Sequence, residues 1–166
     1  MKTTNLIRYN HQVRQLYYEV ISKLSWKEFV KARGASFDSI RNIFLHLTLV
    51  EDRWINYIIP NRFGKWVDLD FDKFDSFEKI EEYMVHTKES SEKYLQKLSL
   101  KELDKKIIIP WGNKADTYIT VETALNHMVI EDLIHYGELS ALLWQMNIEP
   151  PYLAFWRYIY QRPNNK

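Results

Sequence analysis

Cysteine is absent from all 166 residues. That removes thiolate ligands, disulfides and cysteine nucleophiles from consideration, and it fits a reducing compartment. Glycine occurs only four times, too rarely for a turn-rich β fold. Neither sign of charge dominates: Lys and Arg number 23, Asp and Glu 22, for a formal charge of +1. No global field is available to hold phosphate backbones or anionic lipid, so neither nucleic acid nor membrane is expected as a partner. Long apolar runs are also missing, since Ile107 to Pro110 and Ala141 to Trp144 fall far short of the roughly 20 residues that span a bilayer. The N-terminus lacks the apolar run and small-residue cleavage site of a signal peptide. A soluble, cytoplasmic protein is the expectation.

Aromatic residues are plentiful at 15%, as suits helices packed through large side chains. The length matches one domain, taken as residues 1–166. Leu6, Tyr9, Val13, Leu16, Tyr17, Val20 and Leu24 recur at three- and four-residue steps and predict a first helix over about 4–24. Ser36 and Asp38 offer caps for a second helix carrying Ile43, Phe44, Leu47, Val50 and Trp54 and stopping at Pro60. Residues 61–75 read as a packed loop, and Ser76 caps a third helix whose Lys and Glu residues form a solvated face. Ile107 to Ile109, the Pro110 and Gly112 turn, and Tyr118 with Ile119 predict a small hairpin tipped by Trp111. Thr120 or Thr123 caps a fourth long helix to about Gln145, and a short fifth runs from Tyr152 to Tyr160. The expected fold is all-α: a four-helix bundle with a short fifth helix and a β-hairpin before the fourth long helix.

The fourth long helix is the informative one. With Leu125 at zero and about 100° per residue, Met128, Val129, Leu133, Tyr136, Leu139 and Leu143 fall on a core face. The other half carries His127, Glu131, His135 and Glu138 among Ala124, Ile134, Ala141 and Leu142. No Lys or Arg lies between Lys114 and Arg157, so compensation for these carboxylates must come from elsewhere. A divalent ion provides it. Glu131 and His135, or His127 and Glu131, are four apart and reach one ion together, with His46 of the second helix as third ligand. The plainer alternative makes Glu131 and His135 an ordinary helix pair and His46 a hydrogen-bonded core residue. His11 and His86 read as surface residues. Trp54, Trp111, Trp144 and Trp156 read as core and pocket wall, because basic residues are not interleaved with them.

Three segments, SIRNIFLHLTLVEDRW around His46, NHMVIEDLIHYGELSALLWQM from Asn126 to Met146, and PPYLAFWRYIY near the end, resemble the DinB/YfiT-like metalloenzyme family. That family pairs one histidine on the second helix with an H-x3-H pair on the fourth, followed by Gly and then Glu or Gln. His46 and His135 match ligand positions, Gly137 and Glu138 follow in order, and Glu131 replaces the first histidine of the pair. Two histidines and a carboxylate remain a standard set for zinc or iron.

The resemblance implies a metal site of His46, Glu131 and His135, with zinc or nickel as the ion and iron or manganese as alternatives. It further implies a small-molecule substrate and thiol S-transferase or thiol-dependent isomerase chemistry with a low-molecular-weight thiol. His127 and Glu138 are then expected to orient the ligands. Two other readings stand beside this one: a metal-dependent hydrolase on the same site, and a non-catalytic, metal-free ligand-binding or structural bundle. A homodimer fits such an aromatic-rich bundle, but the sequence does not identify the face.

Overall fold

A computed structural model describes residues 3–66, 68–111 and 118–161. Four long helices make the bundle: α1 (Thr3–Ile21), α3 (Ile40–Arg53), α4 (Phe77–Leu95) and α6 (Val121–Gln145). Short helices α2 (Trp26–Val30), α5 (Leu100–Leu103) and α7 (Phe155–Gln161) fill the connections and the end. Strands β1 (Lys106–Ile108) and β2 (Tyr118–Thr120) pair antiparallel, with Ile107 opposite Ile119, just before α6. The all-helical bundle with its hairpin is as the sequence predicts, although Gly112 falls outside the described residues. Among those residues, no helix is long and apolar enough to cross a membrane.

Helix starts follow side-chain chemistry. Ser76 accepts from the Lys79 N–H and Thr120 from the Thr123 N–H, each satisfying a donor that the first turn leaves unpaired. For α3 the cap is Ser39, which accepts from the Asn42 N–H, rather than Ser36 or Asp38. Asp38 instead has φ 71°, and with Gly34 at φ 68° it forms a tight turn that frees Ser36 and Phe37 to face α6. Residues 25–37 also contain α2, too short to show a period.

Past Arg53, α3 continues as a π-helical turn over Trp54–Ile58, where the Ile59 N–H donates to the Trp54 carbonyl. Such a turn accommodates one extra residue in a helix. It turns Trp54, Ile55 and Ile58 inward together, all less than 6% exposed.

The apolar interior has two halves. One gathers Val13, Tyr17, Phe44, Leu47, Ile80, Met84, Tyr136 and Leu139; the other gathers Ile7, Trp54, Ile58, Leu95, Leu125 and Val129. Between them every long helix contributes buried polar residues: Asn10, His11 and Arg14 from α1, Thr48 and Glu51 from α3, Thr87 and Ser91 from α4, and Asp132 from α6. Arg14 donates to Glu51 Oε2 through one terminal nitrogen and to Asp132 Oδ2 at 3.0 Å through the other. His11 Nε2 donates to Glu51 Oε1 at 2.6 Å, and Asn10 Nδ2 to Asp132 Oδ2 at 2.9 Å. His11 is therefore a buried member of this layer and not a surface residue, whereas His86 is exposed. Leu133 also departs from expectation, at 47% exposed on the outside of α6.

Arg14 is the cation from another element that the α6 carboxylates require, and it serves Asp132. Burial raises the Glu51 carboxyl, but Arg14 and His11 together outweigh that and hold it well below the usual carboxylate range. For Asp132 burial wins over Arg14, with Glu51 adding to it, and the carboxyl is pushed up to about 6. A carboxyl raised on folding favours the fold most at low pH, and that contribution fades as pH rises from about 4 to above 6. Glu51 acts oppositely but only below its ordinary value of 4.5, where its stabilisation is lost. Chelated wild-type protein should therefore lose stability relative to Asp132→Asn between pH 5 and 7, by about 1 kcal/mol in urea unfolding. A difference that stays flat or rises with pH would contradict the assignment.

Candidate metal centre

His46 sits in the second turn of α3, and Glu131 and His135 are one turn apart on the stretch of α6 that faces it. The four-residue step puts Glu131 and His135 on one helix face. His46 Nε2 is 3.3 Å and His135 Nε2 3.4 Å from the same atom, Glu131 Oε1. One ligand atom from each residue lies within 4.8 Å of the other two, a grouping that could hold a metal ion. Bonds of 2.0–2.1 Å to a tetrahedral centre separate neighbouring ligand atoms by about 3.3–3.4 Å, which is the spacing of both histidine nitrogens from Glu131.

The surrounding hydrogen bonds fit as well. His135 Nδ1 donates to Glu138 Oε2 at 3.1 Å, and Glu138 in turn accepts from the backbone N–H and the hydroxyl of Ser36, both at 2.6 Å. Held through Nδ1 by Glu138, His135 presents Nε2 to the Glu131 carboxylate. Two ring nitrogens set around one carboxylate oxygen leave a place that a cation could take. Burial lowers the pKa of His46, and the hydrogen bond to Glu131 offsets this only in part, so His46 favours the neutral, ligating form. Burial raises the Glu131 carboxyl, but hydrogen bonds and charge from the two histidines outweigh it and the net shift is downward. Two imidazoles with an ionised carboxylate are a donor set that a divalent ion takes.

Phe37 fixes the rings. It stacks on His46 with centroids 3.9 Å apart at 23° and meets His135 edge-on at 5.4 Å. Sequence periodicity gives no sign of Phe37 or Ser36, because both lie in the Gly34–Asp38 turn and act through its backbone shape. Glu138 does contact a candidate ligand. His127, by contrast, is exposed one turn before Glu131 and packs edge-on against Trp54 at 5.5 Å, outside the cluster.

Beside the cluster opens a pocket of about 290 Å³ to which His46, Glu131 and His127 contribute. Its walls are indoles: Trp111 meets Trp54 at 5.7 Å and Trp66 at 6.1 Å, both nearly perpendicular. Arg53 lies over the Trp66 ring at 4.0 Å and is bridged to Asp68 at 3.0 Å. Trp54 and Trp111 are pocket wall as expected, while Trp144 and Trp156 are more than half exposed elsewhere. Trp66 carries no sequence signal for the pocket, since the loop brings it there, and Arg53, the last residue of α3, is polar and gives an apolar period nothing to register.

Two comparisons bear on this arrangement. The chain is similar to the uncharacterized protein YizA of Bacillus subtilis (strain 168), 24% identical over 148 residues that cover 89% of each chain. The DinB family model matches residues 1–165. With the bundle, the hairpin and the His46, Glu131 and His135 cluster all in hand, the chain belongs to the DinB family.

Proposed function

We propose that the protein is a divalent-metal-dependent enzyme that transfers or isomerises a small molecule with a low-molecular-weight thiol as co-substrate. The observation carrying this reading is the convergence of two imidazole nitrogens on one carboxylate oxygen at the edge of a tryptophan-walled pocket. His46, Glu131 and His135 hold the ion, zinc or nickel foremost, with iron or manganese compatible with a carboxylate in the set. The ion supplies Lewis acidity that makes a thiol or a water nucleophilic near neutral pH.

The chain's own residues do the rest. Glu138 keeps the His135 proton on Nδ1 and holds the ring against Phe37. Trp54, Trp66 and Trp111 offer apolar faces to the substrate and exclude water from them, and Arg53 offers a cation for an anionic group.

The first measurement is elemental analysis of untagged protein. About one equivalent of metal per chain is expected in the wild type and none in Glu131→Ala or His135→Ala; a metal-free wild type after incubation with excess ions would leave a bundle without this chemistry. A screen of electrophiles, esters and amides with and without small thiols should give turnover only with thiol present. Turnover that ignores thiol would assign the site to hydrolysis. For Glu138→Gln, zinc affinity by competition with a chromogenic chelator should fall about 10–100-fold, with the melting temperature of metal-free protein little changed. Unchanged affinity would remove Glu138 from the support of His135.

A further inference from the structure

The pocket beside the metal cluster has a charged end that the cluster does not account for. His46, Val50 and Arg53 line it from α3 at steps of four and three, which is one face of a helix. Arg53 therefore lies on the same side of α3 as His46 and about two turns further along, roughly 10 Å away at 1.5 Å per residue. Trp54, Trp66 and Trp111 wall the same space.

Arg53 is poorly compensated for a side chain only 24% exposed. Among the described residues, its buried Nε has no hydrogen-bond partner. Cζ lies 4.0 Å from the centre of the Trp66 ring, a contact that holds the head of this long side chain in one place. Its bridge runs outward, from Nη2 to Asp68 Oδ1 at 3.0 Å, and the Asp68 side chain is 95% exposed. An ion pair with a partner that exposed contributes little, because water competes for the charge. Burial lowers the pKa of Arg53, and Asp68 offsets this only in part. Among the described residues, Glu131 is the one carboxylate that lines the pocket, and in the metal centre the ion takes up its charge. The charge left facing the pocket is positive.

We propose that Arg53 sets the substrate specificity of the pocket by binding a carboxylate, with Asp68 as a placeholder that the substrate's carboxylate displaces. This rests on the reading of the pocket as a substrate site. The substrate class is a small acid with a planar, apolar body: its carboxylate on the Arg53 fork, its ring against the indoles, and its reacting end toward His46, Glu131 and His135. A carboxylate that enters among indoles is sheltered from water and can accept two parallel N–H bonds, where Asp68 accepts one from the solvent side. The exchange replaces a screened pair by a sheltered one, and a neutral molecule of the same shape has nothing to offer in place of Asp68.

The test uses the full chain in chelator, so that no ion holds the probe, with cinnamate and its neutral isostere cinnamamide as ligands. Binding is read from the indole N–H signals in NMR titrations, the Trp66 signal being identified by its loss in Trp66→Phe. Cinnamate should shift that signal in the wild type and bind about tenfold more tightly than cinnamamide, the difference between a charge-assisted and a neutral pair. Arg53→Gln should bring the two ligands within about twofold of each other. Asp68→Asn should do the reverse and tighten cinnamate about two- to fivefold, with cinnamamide unchanged, because the competing carboxylate is gone. A bridge that serves only the fold would give no such gain. Equal affinities in the wild type, no shift at Trp66, a preference that survives Arg53→Gln, or an Asp68→Asn chain that binds cinnamate no better each overturns the proposal. Metal uptake is read separately: a chain that takes no metal yet prefers cinnamate loses the metal chemistry and keeps this subsite, and a chain that takes metal without the preference does the opposite.

Discussion

The polar layer centred on Arg14 is the constraint on which the rest of the bundle depends. Apolar helices slide and rotate against one another at small energetic penalty, and a buried guanidinium with two carboxylate partners does not. Arg14 reaches α3 through Glu51 and α6 through Asp132, while His11 adds a second hold on α3. Breaking any one of these contacts strands a charge away from water. The layer therefore sets the relative height of α1, α3 and α6, with the apolar halves filling in above and below it. Glu131 is the neighbour of Asp132, and His46 lies little more than one turn from Glu51. Fastening the layer fixes how His46 meets Glu131.

Much of the fold is legible in the sequence because helices announce themselves by period and cap. Helix α6 runs over the residues that Thr120 and the spacing of its apolar residues indicate, and Ser76 marks the start of α4. The failures have physical causes. His11 looks exposed because its sequence neighbours are polar, yet those neighbours are the buried layer itself. Leu133 reads as core because a helix apolar on two sides gives periodicity no means of choosing between them. The π turn after Arg53 is invisible to a 3.6-residue rule.

The candidate site divides the same way. His46, Glu131 and His135 are predicted from helical spacing and resemblance, and the structure brings the three together. Glu138 contacts His135 as a helix neighbour should. Besides Arg53, a polar residue at the end of α3 that an apolar period does not register, the residues that escape a sequence reading, Ser36, Phe37 and Trp66, come from a tight turn and an irregular loop. There, position depends on backbone angles that no side-chain period encodes. Local periodicity thus finds the donors and misses much of their surroundings.

The π turn at Trp54 separates two kinds of evolutionary freedom. Everything before it on α3, including His46 and Glu51, is held in register by the polar layer. Everything after it, from Trp54 to the Trp66 loop, is connected through a segment already one residue longer than an α-helix would need. Losing that residue would restore regular helix bonding and rotate the downstream chain by about 100° without disturbing His46 upstream. The walls of the pocket can thus be rebuilt by small changes in chain length while the His46, Glu131 and His135 trio stays where it is, so the shape of the pocket and the geometry of the candidate metal centre vary independently.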